Sequence, residues 1–288
     1  MSQFAEQGAC VSAVIVTHHS DAVLMKALHA LARQPELNDI VVVDNGSNPS
    51  PVVPTRLGNV RIELRCNIDN PGFAVGCNQG AASALSDYLL FVNPDCFLHD
   101  GALAAMLQVF AQQTQVGVVG GYLLEADGRL QLQARRLDPT PERLWAALRD
   151  GRQSLHPAVG EVIDGIEQVE AISGALMLMR REVFLALGGF DTGYRLHFED
   201  LDLCRRLRQQ GYACYVQHAA RALHLKGTSS RRNPVWVELQ KTRGFLRYFQ
   251  RFDAVGRPAW EVLAWRVAII LRGGLSMLLA VRWWLVRR

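Results

Sequence analysis

The first half of the chain alternates short, wholly apolar runs with amphipathic stretches, and this alternation constrains the fold more than any other feature. Each apolar run is rich in β-branched residues and lacks polar–apolar alternation, which predicts a strand buried on both faces. These runs are Val11–Val16, Ile40–Val43 and Leu89–Val92. The stretches with helical spacing are Asp21–Arg33, Phe73–Leu85 and Asp100–Gln113. Strand–helix units of this length predict right-handed crossovers and an open α/β sheet flanked by helices.

The rest of the chain continues this pattern less regularly and then becomes helical. The further predicted strands are Val60–Leu64, Val116–Val119, Ala175–Met179 and Ala213–Val216, and the further predicted helices are Arg181–Leu187 and Leu201–Gln210. Residues 122–170 have weak periodicity, which predicts long connections with one short helix near Pro141–Arg149. From Val235 onward the pattern predicts a helical C-terminal extension, broken near Gly256-Arg257-Pro258.

Charge is unevenly distributed along the chain. Residues 229–288 contain 12 Lys and Arg against 3 Asp and Glu, a net charge of +9, whereas residues 1–228 carry −5. The basic tail is also rich in tryptophan, a composition typical of helices on an anionic membrane surface. Its arginines do not gather on one helical face, so a homodimer contact or a helix packed on the body remains an alternative. Nucleic-acid binding has only this charge in its favour and is not expected.

Three features bear on location. The six cysteines form no C-x-x-C pair, which suits a reducing compartment better than a disulfide framework. The N-terminus lacks a basic segment followed by an apolar one, so no signal peptide is expected. Near the C-terminus the longest uncharged run, Gly273–Val281, is about half of the ~20 residues that a spanning helix needs. We therefore expect a cytoplasmic protein that contacts the inner face of the cytoplasmic membrane peripherally, if at all.

Polar residues follow three of the predicted buried strands. Thr17 follows the first strand, Asp44-Asn45-Gly46-Ser47 the second, and Asn93-Pro94-Asp95 the third. Ligands of open α/β sheets bind beyond the carboxyl ends of the strands, so the three together favour a polar ligand there. Each one alone could be an ordinary turn or helix cap.

Two of these carboxylates have candidate roles. Asp44 could accept the N–H that thymine or uracil presents at N3. Asp95 is the candidate ligand for a divalent cation, because Mg²⁺ needs few protein carboxylates when phosphate oxygens supply its other ligands. The segment Asn70–Gly80 places Gly72, Gly76 and Gly80 four residues apart at the start of a helix. Small residues at this spacing permit close backbone approach to a ligand or to a strand.

The densest acidic cluster of residues 1–228 is Glu199-Asp200-Leu201-Asp202, just before a predicted helix. One of these carboxylates could act as a general base, because crowded acids raise one another's pKa. The alternative is a favourable interaction with the helix dipole and an Asp202–Arg206 pair. His224 precedes the small-residue loop Gly227-Thr228-Ser229-Ser230, which could contact a phosphate. A lone histidine is more often structural.

Taken in order, these segments resemble the family 2 glycosyltransferases, and in particular their rhamnosyltransferase-like branch. The segments that carry the resemblance are Val11–Thr17, Val41–Ser47, Asn70–Gly80, Phe91–Cys96 and Ser173–Tyr212. The resemblance implies a GT-A fold, a Rossmann-like mixed sheet flanked by helices, over residues 1–228. It implies a nucleotide-sugar-binding half at 10–120, an acceptor and catalytic half at 171–228, and residues 229–288 as a separate helical tail.

The resemblance also assigns roles to individual residues. The donor-binding residues would be Thr17, Asp44, Asn70, Gly72, Phe73, Gly76, Asn78 and Asn93. The acceptor-side residues would be Ser173, Gly174 and Asp191. Asp95 matches the last residue of the D-x-D signature, whose first carboxylate is replaced here by Asn93, and His224 would complete the shell of an Mg²⁺ or Mn²⁺ ion. In Phe198-Glu199-Asp200-Leu201-Asp202-Leu203, Asp200 would be the general base, with Glu199 the second choice.

The activity that the resemblance implies is an inverting sugar transfer in surface-polysaccharide or O-antigen assembly. The implied donor is dTDP-L-rhamnose, and a UDP-sugar is the alternative because thymine and uracil share their Watson–Crick edge. The implied acceptor is a glycan, carried on a polyprenyl lipid. A non-catalytic sugar-nucleotide-binding module is the alternative of a different class.

Overall fold

The computed structural model describes residues 10–150, 162–163, 165–225 and 234–286. Its strands are β1 (Val11–Thr17), β2 (Leu37–Asn45), β3 (Arg56–Leu57), β4 (Val60–Asn67), β5 (Tyr88–Val92), β6 (Cys96–Leu98), β7 (Val116–Leu124), β8 (Arg135–Arg136), β9 (Val162–Ile163), β10 (Ile166–Val169), β11 (Ala171–Ile172), β12 (Leu176–Arg180) and β13 (Ala213–His224). Its helices are α1 (Asp21–Ala32), α2 (Phe73–Ser83), α3 (Ala102–Gln112), α4 (Pro141–Asp150), α5 (Arg181–Ala186), α6 (Glu199–Gln209), α7 (Pro234–Tyr248) and α8 (Ala259–Val286). A π-helical turn, Phe249–Asp253, follows α7.

A mixed sheet of 11 strands forms the centre, in the order β3-β4-β2-β1-β5-β12-β7-β13-β10-β9, with β6 paired to β13. Strands β4, β2, β1 and β5 are parallel, as the strand–helix alternation predicts. Strand β12 is antiparallel to β5 and to β7, whereas β13 is parallel to β7. The expected mixed α/β sheet with a C-terminal helical extension is therefore confirmed.

The core lies on both faces of the sheet, because successive residues of a strand point in opposite directions. Ala13 and Ile15 of β1 pack with Leu28 of α1 in one apolar cluster. Val14 and Val16 of β1 pack on the opposite face, in a second cluster that includes α2 and α6. Helices cover both faces, which explains why β1 is apolar throughout.

Helix α2 lies directly against β1. A Cβ atom on Gly76 would lie 2.8 Å from Val16 Cγ1, and one on Gly80 would overlap Val14 Cγ1. The four-residue glycine spacing therefore serves close helix–strand packing, one of the two alternatives that the sequence leaves open.

Two elements have boundaries that the sequence does not predict. Strand β13 continues to His224, beyond its predicted end at Val216. The sequence does not show this extension, because Gln217 and Arg221 interrupt the apolar pattern. In the structure the pairing with β7 shifts register between these two residues and then resumes. Helix α6 begins at Glu199 and not at Leu201. The two residues before it, His197 and Phe198, have φ values of 64° and 74°, which turns the chain abruptly into the helix.

The C-terminal extension packs on the body through one face only. Phe245 and Phe249 form a small apolar cluster with Leu144 of α4 and Ile269 of α8. The large apolar residues that α8 exposes are Trp260, Leu263, Val267, Ile270, Leu271, Leu275, Leu278, Leu279 and Val281.

Helix α8 is long and apolar enough to cross a membrane, judged by length and composition alone. Within Ala259–Arg282 an 18-residue window has a mean hydropathy of 1.7, and 11% of that window is buried. The expectation that the tail lacks a segment of this length is therefore wrong. Isolated arginines end each uncharged run of α8, but they do not lower the mean hydropathy enough to exclude the helix as a membrane span.

The proposed boundary between residues 228 and 229 falls in 226–233, outside the described residues. The loop Gly227-Thr228-Ser229-Ser230 falls there too. The domain division and the phosphate contact of that loop therefore stay predictions.

Candidate active site

Asp95 and His224, 129 residues apart in the sequence, are brought into contact beyond the end of β5. The chain leaves β5 through Asn93 and Pro94 and enters β6, which pairs with the end of β13 so that His224 lies opposite Cys96. The Asp95 Oδ1 atom lies 3.3 Å from His224 Nε2, and both side chains are at most a tenth exposed. This convergence is the one that the resemblance implies.

Hydrogen bonds fix which nitrogen of His224 carries the proton. The Gln131 side-chain amide donates to the carbonyl oxygen of His224 at 2.6 Å, so Gln131 Oε1 is an acceptor. This Oε1 lies 2.9 Å from His224 Nδ1, which must therefore donate to it. The other ring nitrogen, Nε2, lies 3.3 Å from Asp95 Oδ1 and 3.4 Å from Asn93 Nδ2.

This pair fits a divalent cation. A carboxylate oxygen and an imidazole lone pair that face each other repel unless a cation or a proton lies between them, and oxygen and imidazole donors suit Mn²⁺. A ring whose other nitrogen is anchored by Gln131 has the usual outer-shell support of a ligating histidine. Among the described residues no group of three or more His, Cys, Asp and Glu side chains could hold a metal. Further ligands would have to come from the donor diphosphate and water.

Asp200 lies in the first turn of α6, and its carboxylate is held from three directions. Its Oδ2 atom accepts the backbone N–H of Gly174 at 2.9 Å and also the guanidinium of Arg136. Its Oδ1 atom accepts the backbone N–H of Leu201 at 2.8 Å. Arg136 is anchored in turn to the carbonyl oxygen of Ile172.

The segment Ser173–Ala175 connects Asp200 with the Asp95–His224 pair. Gly174 binds Asp200, and the carbonyl oxygen of Ala175 accepts the backbone N–H of Asn93 at 3.0 Å. The Ser173 hydroxyl accepts the N–H of Ala175 at 3.3 Å, which shapes this turn. The candidate base and the candidate metal ligands therefore border the same end of the central sheet.

Glu199 is buried beside Asp200, and its Oε2 atom has no hydrogen-bond partner among the described residues. Burial raises the pKa of Glu199 to about 8, with a further contribution from the negative charge of Asp200. The crowding expected of these acids thus raises the pKa of Glu199.

The two donor-side residues at the end of β1 and β2 are both buried. Thr17 is 1% exposed, and its hydroxyl has no hydrogen-bond partner among the described residues. Asp44 is paired beside it in the sheet, and its carboxylate accepts the Ser47 hydroxyl at 2.5 Å and the Ser47 N–H at 3.1 Å. Asp44 therefore shapes the loop after β2.

The Asn70–Asn78 segment is more structural than the sequence suggests. Asn70 Oδ1 accepts the N–H of Gly72, whose φ of 107° and close approach to Arg195 require glycine. Phe73 starts α2 and lies against Gly174. Both polar atoms of Asn78 bind the backbone of Phe190 at 2.9 Å.

The donor contacts predicted for Asn78 and Gly76 stay predictions, and in this structure both residues take part in packing. The Asn78 amide joins α2 to Phe190, the residue before Asp191. Gly76 is covered by Val16 of β1.

Asp191 is likewise engaged, with the C-terminal extension. Its carboxylate binds Arg247 at 2.9 Å and Arg251 at 2.8 Å, and it accepts the N–H of Gly193. Burial alone would raise the pKa of Asp191, but the Gly193 hydrogen bond and Arg247 hold it below its usual value. Asp191 therefore anchors the end of α7, and its predicted acceptor contact stays a prediction.

Sequence reasoning missed Gln131 and Arg136. Both lie in the weakly periodic stretch 122–170, and neither belongs to a recognisable motif. Gln131 follows β7, and Arg136 lies in β8, a two-residue strand paired with β11. Only the fold places these residues against His224 and Asp200.

Comparison with known proteins agrees with this geometry. The profile described as "Glycosyltransferase like family 2" matches residues 8–246, most of the chain. This chain belongs to that family. A curated relative is the N-acetylglucosaminyl-diphospho-decaprenol L-rhamnosyltransferase of Mycobacterium tuberculosis, 27% identical over 224 residues, covering 68% of this chain and 69% of the relative. Rhamnosyltransferase WbbL of Escherichia coli K12 is 27% identical over 139 residues, covering 48% of this chain and 52% of WbbL.

A solved structure supports the fold independently. The crystal structure of GalNAc-T7 with UDP, GalNAc and Mn²⁺ matches with a TM-score of 0.58 at 17% identity, covering 92% of this chain. The match spans 55% of GalNAc-T7, so this chain corresponds to about half of that protein. At this identity the likeness shows the glycosyltransferase GT-A fold and no more.

Proposed function

We propose that this family 2 glycosyltransferase transfers L-rhamnose from dTDP-L-rhamnose to a hydroxyl of a polyprenyl-linked glycan during O-antigen or other surface-polysaccharide assembly. The observation that carries the proposal is the convergence of Asp95 and His224, with Asp200 joined to them through Gly174 and Ala175. Two relatives that are named rhamnosyltransferases support the choice of sugar.

The proposed reaction is a single in-line displacement with inversion at the anomeric carbon. The acceptor hydroxyl gives its proton to Asp200 as its oxygen attacks, and the bond to the diphosphate breaks on the opposite side. Arg136 and the Gly174 N–H hold the Asp200 carboxylate in place for this step. Mg²⁺ or Mn²⁺ held by Asp95 and His224 would supply positive charge to the departing diphosphate.

The donor is proposed to lie across the ends of β1, β2 and β5. The Thr17 hydroxyl, which has no hydrogen-bond partner among the described residues, would donate or accept a hydrogen bond near the nucleoside. Asp44 keeps its proposed role toward the pyrimidine, with Asn70, Gly72, Phe73 and Asn93 along the donor. In this scheme residues 10–120 bind the nucleotide sugar, residues 171–228 bear the base and the acceptor side, and residues 229–288 form the basic tail.

The tail is proposed to hold the enzyme at the cytoplasmic face of a membrane, where a polyprenyl-linked acceptor would be. The exposed apolar residues of α8 and the surplus of arginine in the tail support this contact. A homodimer formed through α8 is the alternative use of the same surface.

Transfer assays separate the proposal from its alternatives. The chain is incubated with Mn²⁺, a polyprenyl-diphosphate-linked acceptor, and either dTDP-L-rhamnose or a panel of UDP-sugars. We expect transfer from dTDP-L-rhamnose, with inverted configuration at the new bond by NMR. Transfer only from a UDP-sugar would mean that the donor is a UDP-sugar and not dTDP-L-rhamnose, because uracil presents the same edge as thymine to Asp44. Nucleotide binding without transfer from any donor would favour the non-catalytic module.

A further inference from the structure

A second polar site lies away from Asp95, Asp200 and His224, between the end of α7 and α8. It is a cavity of about 480 Å³ lined by Leu246, Arg247, Gln250, Arg251 and Arg266. This volume is within the range of small-ligand sites. Three of the five lining side chains are arginines, from α7, the following π-helical turn and α8.

The arginines around this cavity are only partly neutralised. Arg247 and Arg251 share the Asp191 carboxylate, and Arg251 also lies 3.1 Å from Asp202. Asp202 is already paired with Arg206 at 2.5 Å. Arg247 and Arg251 thus share one carboxylate, Arg251 contacts a second that is already paired, and Arg266 adds a third guanidinium to the cavity lining. The local surplus of positive charge favours an anion.

Arg266 is the cation with the fewest competing contacts. It has no carboxylate partner among the residues that the structure describes, and it is exposed on α8. Its neighbours on the helix are apolar and exposed: Leu263 by 63%, Val267 by 46% and Ile270 by 53%. An anion held in the cavity would thus lie beside a surface that favours hydrocarbon.

We propose that this cavity binds the diphosphate of a membrane-embedded polyprenyl diphosphate carrier, whose hydrocarbon chain lies in the bilayer along the exposed apolar face of α8. This inference rests on the proposed function and names how its acceptor is held. Guanidinium groups match phosphate oxygens bidentately, and the basic tail as a whole complements an anionic surface. Asp191 links the cavity to the acceptor-side segment, because its carboxylate holds Arg247 and Arg251.

Vesicle flotation tests the site without requiring transfer. The full chain is mixed, in EDTA, with phosphatidylcholine vesicles that contain decaprenyl diphosphate, phosphatidylglycerol or neither. We expect decaprenyl diphosphate to increase binding more than an equal charge of phosphatidylglycerol. Arg266→Gln should weaken the decaprenyl diphosphate effect about tenfold, the loss of one charged hydrogen bond. Arg266→Lys should retain part of the decaprenyl diphosphate effect. Arg282→Gln should retain all of it, because this variant removes the same charge from the same helix outside the cavity.

Several results would overturn the cavity proposal. Equal binding to the two anionic vesicles, with equal losses in Arg266→Gln and Arg282→Gln, would mean diffuse attraction to any anionic surface. Absence of vesicle binding by a chain that is dimeric in solution would mean that a second copy covers α8.

Kinetic measurements distinguish failure of the cavity proposal from failure of the proposed function. Arg266→Gln should raise the KM of the diphosphate-linked acceptor and leave the KM of the donor and the rate with a soluble glycoside acceptor unchanged. An equal rise in KM for both acceptors would contradict the cavity assignment while leaving transfer intact. Flotation as expected, without transfer from any donor, would instead contradict only the proposed function.

Discussion

At the scale of single residues, the Asp200 carboxylate is the group on which the proposed chemistry depends. It accepts two backbone N–H groups and the Arg136 guanidinium, so its position is fixed before any substrate binds. Asp200→Asn keeps the shape but cannot take a proton, and we expect turnover to fall at least ~100-fold. Calorimetric binding of dTDP should be nearly unchanged. Full activity of Asp200→Asn together with an inactive Glu199→Gln would transfer the role of base to Glu199.

Arg136 gives a second prediction about the same carboxylate, because its guanidinium is one of the groups that hold Asp200 in place. A displaced catalytic group slows the chemical step more than it weakens binding. Arg136→Gln should therefore lower kcat about tenfold and leave calorimetric binding of dTDP nearly unchanged. Arg136→Lys, which keeps the charge, serves as the control and should lose less. An unchanged kcat in Arg136→Gln would mean that Arg136 does not position Asp200.

Glu199 links the same cluster to stability. Burial and the Asp200 charge raise the pKa of Glu199 to about 8, above that of an exposed glutamate. At a pH between these two pKa values, the folded chain holds the proton of Glu199 and the unfolded chain has released it. The stabilisation is complete at low pH and is lost as the pH rises toward 8, at about 1.4 kcal/mol for each unit of pKa difference. Urea denaturation should show that Glu199→Gln removes this decline. An identical pH dependence in both proteins would contradict the buried, protonated state.

At the scale of elements, the contact between α2 and β1 shows how small residues position the donor side. Gly80→Ala would place a methyl group onto Val14, and overpacking of this kind costs about 1–3 kcal/mol of the free energy of unfolding. Val14→Ala should make room for it, so the double variant should be more stable than the two separate losses predict. Additive losses in chemical denaturation would mean that α2 does not lie against β1 as described.

Local patterns predict the buried parallel strands and the helices between them because each carries a clear apolar period. They do not predict β13 beyond Val216, where Gln217, His218 and Arg221 interrupt the apolar run. They also do not predict the antiparallel direction of β12. The residues of the candidate site also divide into those that the sequence predicts and those that only the fold brings into place. Asp95 and Asp200 lie in recognisable motifs, and His224 is assigned through the family resemblance. Gln131 and Arg136 act through positions that only the packed sheet defines. Nor does the sequence show that Asn78 binds the backbone of Phe190, or that Asp191 binds Arg247 and Arg251.

At the scale of the whole molecule, the fold connects the candidate active site, at the ends of the central strands, to a helix with exposed apolar residues. Helix α7 joins the two, since it packs on the body through Phe245 and binds Asp191 through Arg247. Helix α8 rests on α7 where Gly273 meets Thr242. The acidic body and the basic tail are thus arranged as one unit with chemically different ends.

The melting temperature of the full chain with dTDP-L-rhamnose, in Mn²⁺ and in EDTA, tests most directly whether Asp95 and His224 hold a metal at the donor site. A ligand that binds the folded state raises the melting temperature by mass action. We predict a rise for the wild-type chain that requires Mn²⁺ and is lost in Asp95→Asn and in His224→Ala. An equal rise in EDTA, or in both variants, would contradict the account.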